Sequence, residues 1–140
     1  MSNLEIVEKM YQCFKNSDLE TLRNEVFAED LKWNLPGHNP IAGTKKGINE
    51  VIGFLGSLRK LGINVTPLGM GEIGEDSVAE FYLGEGEVNG VQLNALNCNR
   101  YKIRDGKIAE VQVFMSDQHG YDAFAWEAFK LKAIPERLVS

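Results

Sequence analysis

The residues best suited to chemistry stand together near the C-terminus, in GKIAEVQVFMSDQH at 106–119. Read as a strand, the stretch sets Val111, Val113, Met115 and Asp117 on one side, because successive side chains alternate faces. Glu110, Gln112, Phe114 and Ser116 take the other. Asp117 is thus in phase with three apolar residues. A carboxylate in such company loses hydration and its pKa rises, which suits a general acid or base at neutral pH. An aspartate at a strand end also serves to cap a following helix, and the sequence leaves both uses open. His119 either moves protons beside Asp117 or stands exposed at that helix's start.

A second set lies in VQLNALNCNRYKI at 91–103. Val91, Leu93, Ala95, Tyr101 and Ile103 share a phase with Asn97 and Asn99, so two amides interrupt an apolar face. Gln92, Asn94, Arg100 and Lys102, with Leu96 and Cys98, form the more solvated side. A buried amide left unpaired costs roughly 1–3 kcal/mol. Asn97 and Asn99 therefore bond to each other and the backbone, or line a ligand cavity. Tyr11, Phe14, Trp33, Tyr101 and Phe81 serve as core or as cavity lining, since both use the same residue types. Of these, Tyr11, Phe14, Trp33 and Tyr101, with His38 and Met115, are the candidate substrate contacts.

Other chemistries lack support. Gly69, Gly71 and Gly74 match GxGxxG, but Glu72, Glu75 and Asp76 crowd them with negative charge and a strand follows, so no phosphate site is expected. His38 and His119 are the only histidines and stand far apart in the sequence, so neither metal nor cofactor is expected. Cys13 and Cys98 lack a redox or ligand spacing and read as free thiols. The formal charge of −5 opposes binding to nucleic acid. No apolar run approaches the ~20 residues that span a bilayer, and no basic-then-apolar leader opens the chain, so the expected location is the cytoplasm, without membrane contact.

The remaining pattern supplies the elements that would hold these residues. At 140 residues the chain reads as one domain. Leu4, Val7, Met10, Tyr11 and Phe14 recur at helical spacing behind a Ser2/Glu5 capping box, and Ser17 with Glu20 offers a second box before Leu19, Leu22, Val26 and Phe27. A short strand at 31–35 leads to PGHNPIAG, a rigid turn. Ile48, Val51, Ile52, Leu55 and Leu58 mark a third helix that stops at Gly62. Strands follow at 63–68, 77–87, 91–103 and 107–116, with tight turns at Asn89, Gly90 and Asp105, Gly106. A C-terminal helix is expected over 119–132. Helices first and an antiparallel sheet after is an α+β layout.

This order, with the PGHNPIAG turn and a long meander ending in FMSD, resembles the nuclear transport factor 2-like superfamily. Over roughly residues 3–118 it is most similar to SnoaL-like polyketide cyclases and ketosteroid isomerase-like proteins. The resemblance implies a cystatin-like cone, a curved antiparallel sheet packed on N-terminal helices, with a pocket between them and pairing as a homodimer. Gly37, Pro40 and Gly43 match an isomerase turn, but the position of the isomerase's base is Asn34, which speaks against steroid isomerisation. By the same alignment Asn97 falls near the isomerase's second pocket acid. The cyclases carry their acid/base aspartate at the end of the last long strand, where Asp117 stands. The resemblance thus implies a cofactor-independent enzyme for a small apolar carbonyl compound. Asp117 would move a proton, Asn97 and Asn99 would steady the oxyanion, and His119 would assist. The alternative is a non-catalytic module of the same fold that binds a hydrophobic ligand or dimerises.

Overall fold

The computed structural model describes residues 1–129. Helix α1 (Asn3–Asn16) starts in the expected capping box, with Glu5 N donating to Ser2 Oγ at 3.2 Å and Ser2 N to Glu5 Oε1 at 3.0 Å. Its inner stripe buries Ile6, Val7, Met10 and Cys13. The second box is different. Ser17 ends α1 in the left-handed region (φ 54°), and Asp18 is the residue that caps α2 (Leu19–Thr21), accepting from Thr21 N at 3.1 Å. Helix α2 then widens into a π-turn, Leu22–Val26, closed by Phe27 N–H on Leu22 C=O. The extra residue in that turn brings Leu22, Val26 and Phe27 all fully inside, which a continuing α-helix would not do.

Six strands form one open, curved sheet: β1 (Phe27–Leu35), β2 (Gly43–Lys46), β3 (Asn64–Ile73), β4 (Ser77–Val88), β5 (Val91–Arg104) and β6 (Lys107–Met115). Their order is β2-β1-β6-β5-β4-β3. All pairings are antiparallel except β1 with β6, which no hairpin joins and which run parallel. Strand β2, paired from Gly43 to Lys46 with β1, adds to the strands the sequence predicts, because its GTKK sequence has no apolar alternation to betray it. Strand β3 runs on through the Gly69 and Gly71 stretch, with an irregularity between Pro67 and Gly69.

Two tight turns fix the register of the long strands. Asn89 and Gly90 (φ 50° and 82°), then Asp105 and Gly106 (φ 52° and 75°), adopt the left-handed conformations that two-residue hairpins require. Helix α3 (Gly47–Lys60) and α4 (Gln118–Ala128) complete the cone, and the core fills the space between α1, α3, α4 and the concave face. The expected end of the last helix at 130–132 lies outside the described residues. The sheet and the helices in its hollow make an α+β cone, as the sequence predicts.

Candidate functional site

The β4–β5 hairpin pairs without a break from Val88↔Val91 back to Ser77↔Lys102. That register sets Glu80 opposite Asn99 and Tyr82 opposite Asn97, all on the concave face. Glu80 is 0% exposed, and Asn97 and Asn99 are each 5% exposed. The phase expected for β5 therefore holds: its two amides do face inward, beside Leu93, Ala95, Tyr101 and Ile103.

A directed run of hydrogen bonds connects them. Tyr82 O–H donates to Asn99 Oδ1 at 2.9 Å, and Asn99 Nδ2 donates to the Tyr101 oxygen at 3.3 Å. Tyr101 O–H in turn donates to Glu80 Oε1 at 2.8 Å, and Tyr11 O–H reaches the same oxygen from α1 at 2.7 Å. Trp33 meets the Tyr101 ring edge-on at 6.3 Å, and Phe14 meets Tyr11 likewise at 6.3 Å. Among the described residues, the buried Glu80 Oε2 and Asn97 Oδ1 have no hydrogen-bond partner.

Burial governs the electrostatics. It pushes the Glu80 carboxyl above the usual carboxylate range, against the two tyrosine bonds that work to lower it. Its partners are neutral hydroxyls rather than a cation, so the charge has no compensating ion within the network. Burial, with Glu80 nearby, also raises Tyr11, Tyr82 and Tyr101, which keeps them protonated as donors.

The other predicted site residues lie elsewhere. Strand β6 ends at Met115, so the alternation that would carry Asp117 inward stops two residues short. Asp117 is exposed, and its Oδ1 accepts from Gly120 N at 2.9 Å as the cap of α4. The desolvation that the acid/base reading required is absent there. His119 is exposed in the first turn of α4. His38 is exposed too, with its backbone held by α4: its N–H donates to Asp122 Oδ2 (3.2 Å) and its carbonyl accepts from Trp126 Nε1 (2.8 Å). Asn39 Nδ2 and Gln118 Nε2 donate to Asp122 Oδ1 as well, at 2.7 and 2.9 Å. Met115 stands opposite Asn97 in register, half-buried.

The sequence reading missed Glu80 although its signal was present. Residues 77–83 (SVAEFYL) are apolar in both phases, so alternation alone does not choose a face. Counting back from the Asn89, Gly90 turn does choose, because it pairs Glu80 with Asn99. The same count sends Phe81 outward, where it is 52% exposed rather than core.

The convex face is unlike the concave one. Phe81, Cys98 and Phe114 stand side by side across β4, β5 and β6, with Leu96 close by. Phe114 is 54% exposed. A hollow of about 380 Å³ lies next to them, lined by Leu68, Ile73, Ala79 and Phe81 where Gly69 and Gly71 carry no side chain. A second hollow, of about 350 Å³, opens between Arg23, Glu29 and the start of α3. Neither touches the Glu80 network.

The SnoaL-like domain family matches residues 7–111, three quarters of the chain. The chain belongs to the SnoaL-like family. Tyr11, Glu80, Tyr82, Asn97, Asn99 and Tyr101 all fall within the matched segment, whereas Asp117 and α4 lie beyond it. No curated protein matches the sequence. Among solved structures, Bal32a from a soil-derived mobile gene cassette is 25% identical with a TM-score of 0.79, covering 88% of this chain and 95% of that one. A protein of unknown function with a cystatin-like fold from Xanthomonas campestris is 29% identical with a TM-score of 0.77, covering 89% and 98%. A nuclear transport factor 2-like protein from Burkholderia xenovorans, 20% identical, shares the fold at a TM-score of 0.74 over 87% and 95%. The fold is one that typically binds small molecules.

Proposed function

We propose that this protein is a cofactor-independent enzyme that moves a proton at a carbon next to a carbonyl, with Glu80 as the acid/base. The observation that carries the proposal is the unequal treatment of the two Glu80 oxygens. Oε1 is fixed by two tyrosine hydroxyls, and Oε2 is buried with no partner among the described residues. A desolvated carboxylate with one anchored and one free oxygen is suited to take and return a proton near neutral pH. Removing a proton from the substrate carbon moves the negative charge from Glu80 to the carbonyl oxygen. Tyr11 O–H, half-buried on α1, then turns from the neutral acid to that oxygen. Asn99 uses both its amide groups within the network, so it positions Tyr82 and Tyr101 rather than meeting the substrate. Returning the proton elsewhere gives isomerisation; attack of the enolate on a second carbonyl gives cyclisation.

The test is proton exchange. Acetophenone and cyclohexanone incubated with the protein in D₂O should exchange their α-hydrogens, followed by proton NMR, and Glu80→Gln should reduce the rate to background. Equal rates for both proteins would leave the network as a structural or purely binding feature.

We infer as well that two copies pair through the convex face. Phe81 and Phe114 project beside a hollow floored by Gly69 and Gly71, and a face that carries both knob and socket suits a two-fold interface. Phe114→Lys should convert a dimer to a monomer in sedimentation velocity; a monomeric wild type would overturn the pairing. The free Cys13 and Cys98 thiols suit the reducing cytoplasm as the place of action.

A further inference from the structure

Helix α4 lies across one end of the cone, and the way it is held points to what it does. Strands β1 and β6 end at Leu35 and Met115, and Met115 stands opposite Asn97, whereas the β4–β5 hairpin runs on past that level to Val88 and Val91. Concave positions on this projecting part are small: Gly84 faces Ala95 across the pair, and Gly86 faces Leu93. Helix α4 packs here, turning Tyr121, Phe124 and Ala125 inward. A Cβ at Gly86 would meet Phe124 Cζ at 3.4 Å and Ile63 Cγ1 at 3.5 Å, so an aromatic ring rests where the strand has no side chain. Glycine inside a strand weakens it and marks a place where another group comes close. That group is supplied by the chain itself.

A second stripe of α4 is polar and holds a different part of the molecule. Gln118, Asp122 and Trp126 recur at every fourth residue, so they line up along one side of the helix, facing the 36–42 loop. Asp122 accepts from His38 N at 3.2 Å and from Asn39 Nδ2 at 2.7 Å, Gln118 Nε2 donates to Pro36 O at 3.3 Å, and Trp126 Nε1 donates to His38 O at 2.8 Å. Gly37, at φ 111°, permits this approach, because a Cβ there would collide with Asp122 Oδ1 and Gln118 Nε2. The bonds lie at the surface, where water can take the place of either partner when they part. On the far side, Asn89 Nδ2 in the hairpin turn donates to Glu127 Oε1 at 2.9 Å. Helix α4 is thus a bar between the hairpin tip and the 36–42 loop, joined to β6 by the short link Ser116–Asp117.

We propose that α4 is a latched lid whose Phe124 ring keeps the place of a ligand's aromatic ring over Gly86. To bind, the ligand takes that place, Asp122 releases the 36–42 loop, and α4 swings out on the Ser116–Asp117 link. The ligand class follows from the plug: a neutral aromatic compound, because the space already fits a phenyl ring and its walls are Ile63, Gly86 and Leu93. The lid does not depend on the Glu80 reading, since it concerns only what stands over Gly86.

The probe is acetophenone, and amide hydrogen exchange of the whole chain, followed by NMR, reads the lid directly. In the wild-type protein the α4 amides should exchange at least about tenfold faster than those of the β4–β5 ladder, because the helix opens without the sheet. Acetophenone should speed the α4 exchange further while slowing the ladder, since it selects the form with α4 displaced. Asp122→Ala removes both loop contacts of that carboxylate and raises the population of the displaced form, so acetophenone should bind at least about fivefold tighter. Trp126→Phe takes away one bond of a half-exposed side chain without disturbing the core, and should act in the same direction by a smaller factor. Slowed or unchanged α4 exchange with the ketone present, or unchanged or weaker binding by the variants, would overturn the lid. The role of Glu80 is read separately, from α-hydrogen exchange of the ketone, and survives that result.

Discussion

Glu80 on β4 and Asp117 just past the end of β6 are both carboxylates, and the fold gives them opposite surroundings. Asp117 sits past the last residue of β6, exposed, with its oxygen on the N–H of Gly120. Glu80 sits mid-strand under α1, with two hydroxyls on one oxygen and, among the described residues, none on the other. The neighbours along its own strand do not decide which acid is desolvated. Those across the sheet and above it do: Asn99 on β5, Tyr101 one pair further, Tyr11 from a helix far away in sequence. A strand-end acid meets water and a helix N-terminus; a mid-strand acid on a concave face meets only what the fold brings to it.

The largest effect expected from this contrast is on catalysis. Glu80→Gln keeps the shape but cannot move a proton, and loss of a general base costs roughly 10²–10⁴-fold in rate. Asp117→Asn should leave α-hydrogen exchange within about twofold of wild type. The reverse pattern, measured with the same ketones, would break the comparison outright. Next in size is Tyr101→Phe. It removes a donor from Glu80 and the acceptor of Asn99 Nδ2 in one step, inside the core. Leaving buried polar groups unpaired costs roughly 1–3 kcal/mol, so urea unfolding should show a loss of that order.

How much of this was legible in the sequence follows from the same contrast. The capping box at Ser2, the hairpin at Asn89 and Gly90, and the inward phase of Asn97, Asn99 and Tyr101 depend on local rules, and they read correctly. Ser17 and Asp18 compete for one helix start, and spacing does not rank two good caps side by side. Strand β2 carries no pattern at all. Asp117 drew attention because its alternation with Val111, Val113 and Met115 is visible, yet nothing along the strand says where the strand stops. Placing Glu80 requires counting the hairpin back along β4 from Val88 to Glu80, and placing Tyr11 requires the packing of α1 over the sheet. The fold was written in periodicities; the site depends on pairings between strands and on one helix crossing them.

A smaller effect sharpens the contrast through pH. The folded-state pKa of Glu80 is raised by burial above its unfolded value of about 4.3, so the native state holds this proton more tightly. Its contribution to stability is therefore full below the unfolded pKa and is lost as pH rises toward the folded one. Asp18, Asp30 and Asp122 run the other way, because hydrogen bonds in the folded state hold their carboxyls low. Comparing wild type with Glu80→Gln in urea at a series of pH values cancels those groups. The Gln variant should gain on wild type with rising pH, at no more than about 1.4 kcal/mol per pH unit. A flat difference would mean that Glu80 is not desolvated.

The smallest effect belongs to Asp117, and it separates a cap from a catalytic acid. As the α4 cap its role is one accepted hydrogen bond, which asparagine supplies nearly as well and alanine does not supply. Asp117→Ala should lower unfolding free energy by about 1 kcal/mol, and Asp117→Asn by a few tenths. Both should exchange ketone hydrogens at the wild-type rate under conditions where the protein is fully folded. The two readouts must be taken together, because α4 also clasps the loop at 36–42 through Asp122 and Trp126, and loosening it reaches the cone indirectly. A fully folded Asp117→Asn protein with normal stability and a much reduced exchange rate would mean that Asp117 meets the substrate after all. In that case the strand-end acid, rather than Glu80, would be the group on which the cone's chemistry turns.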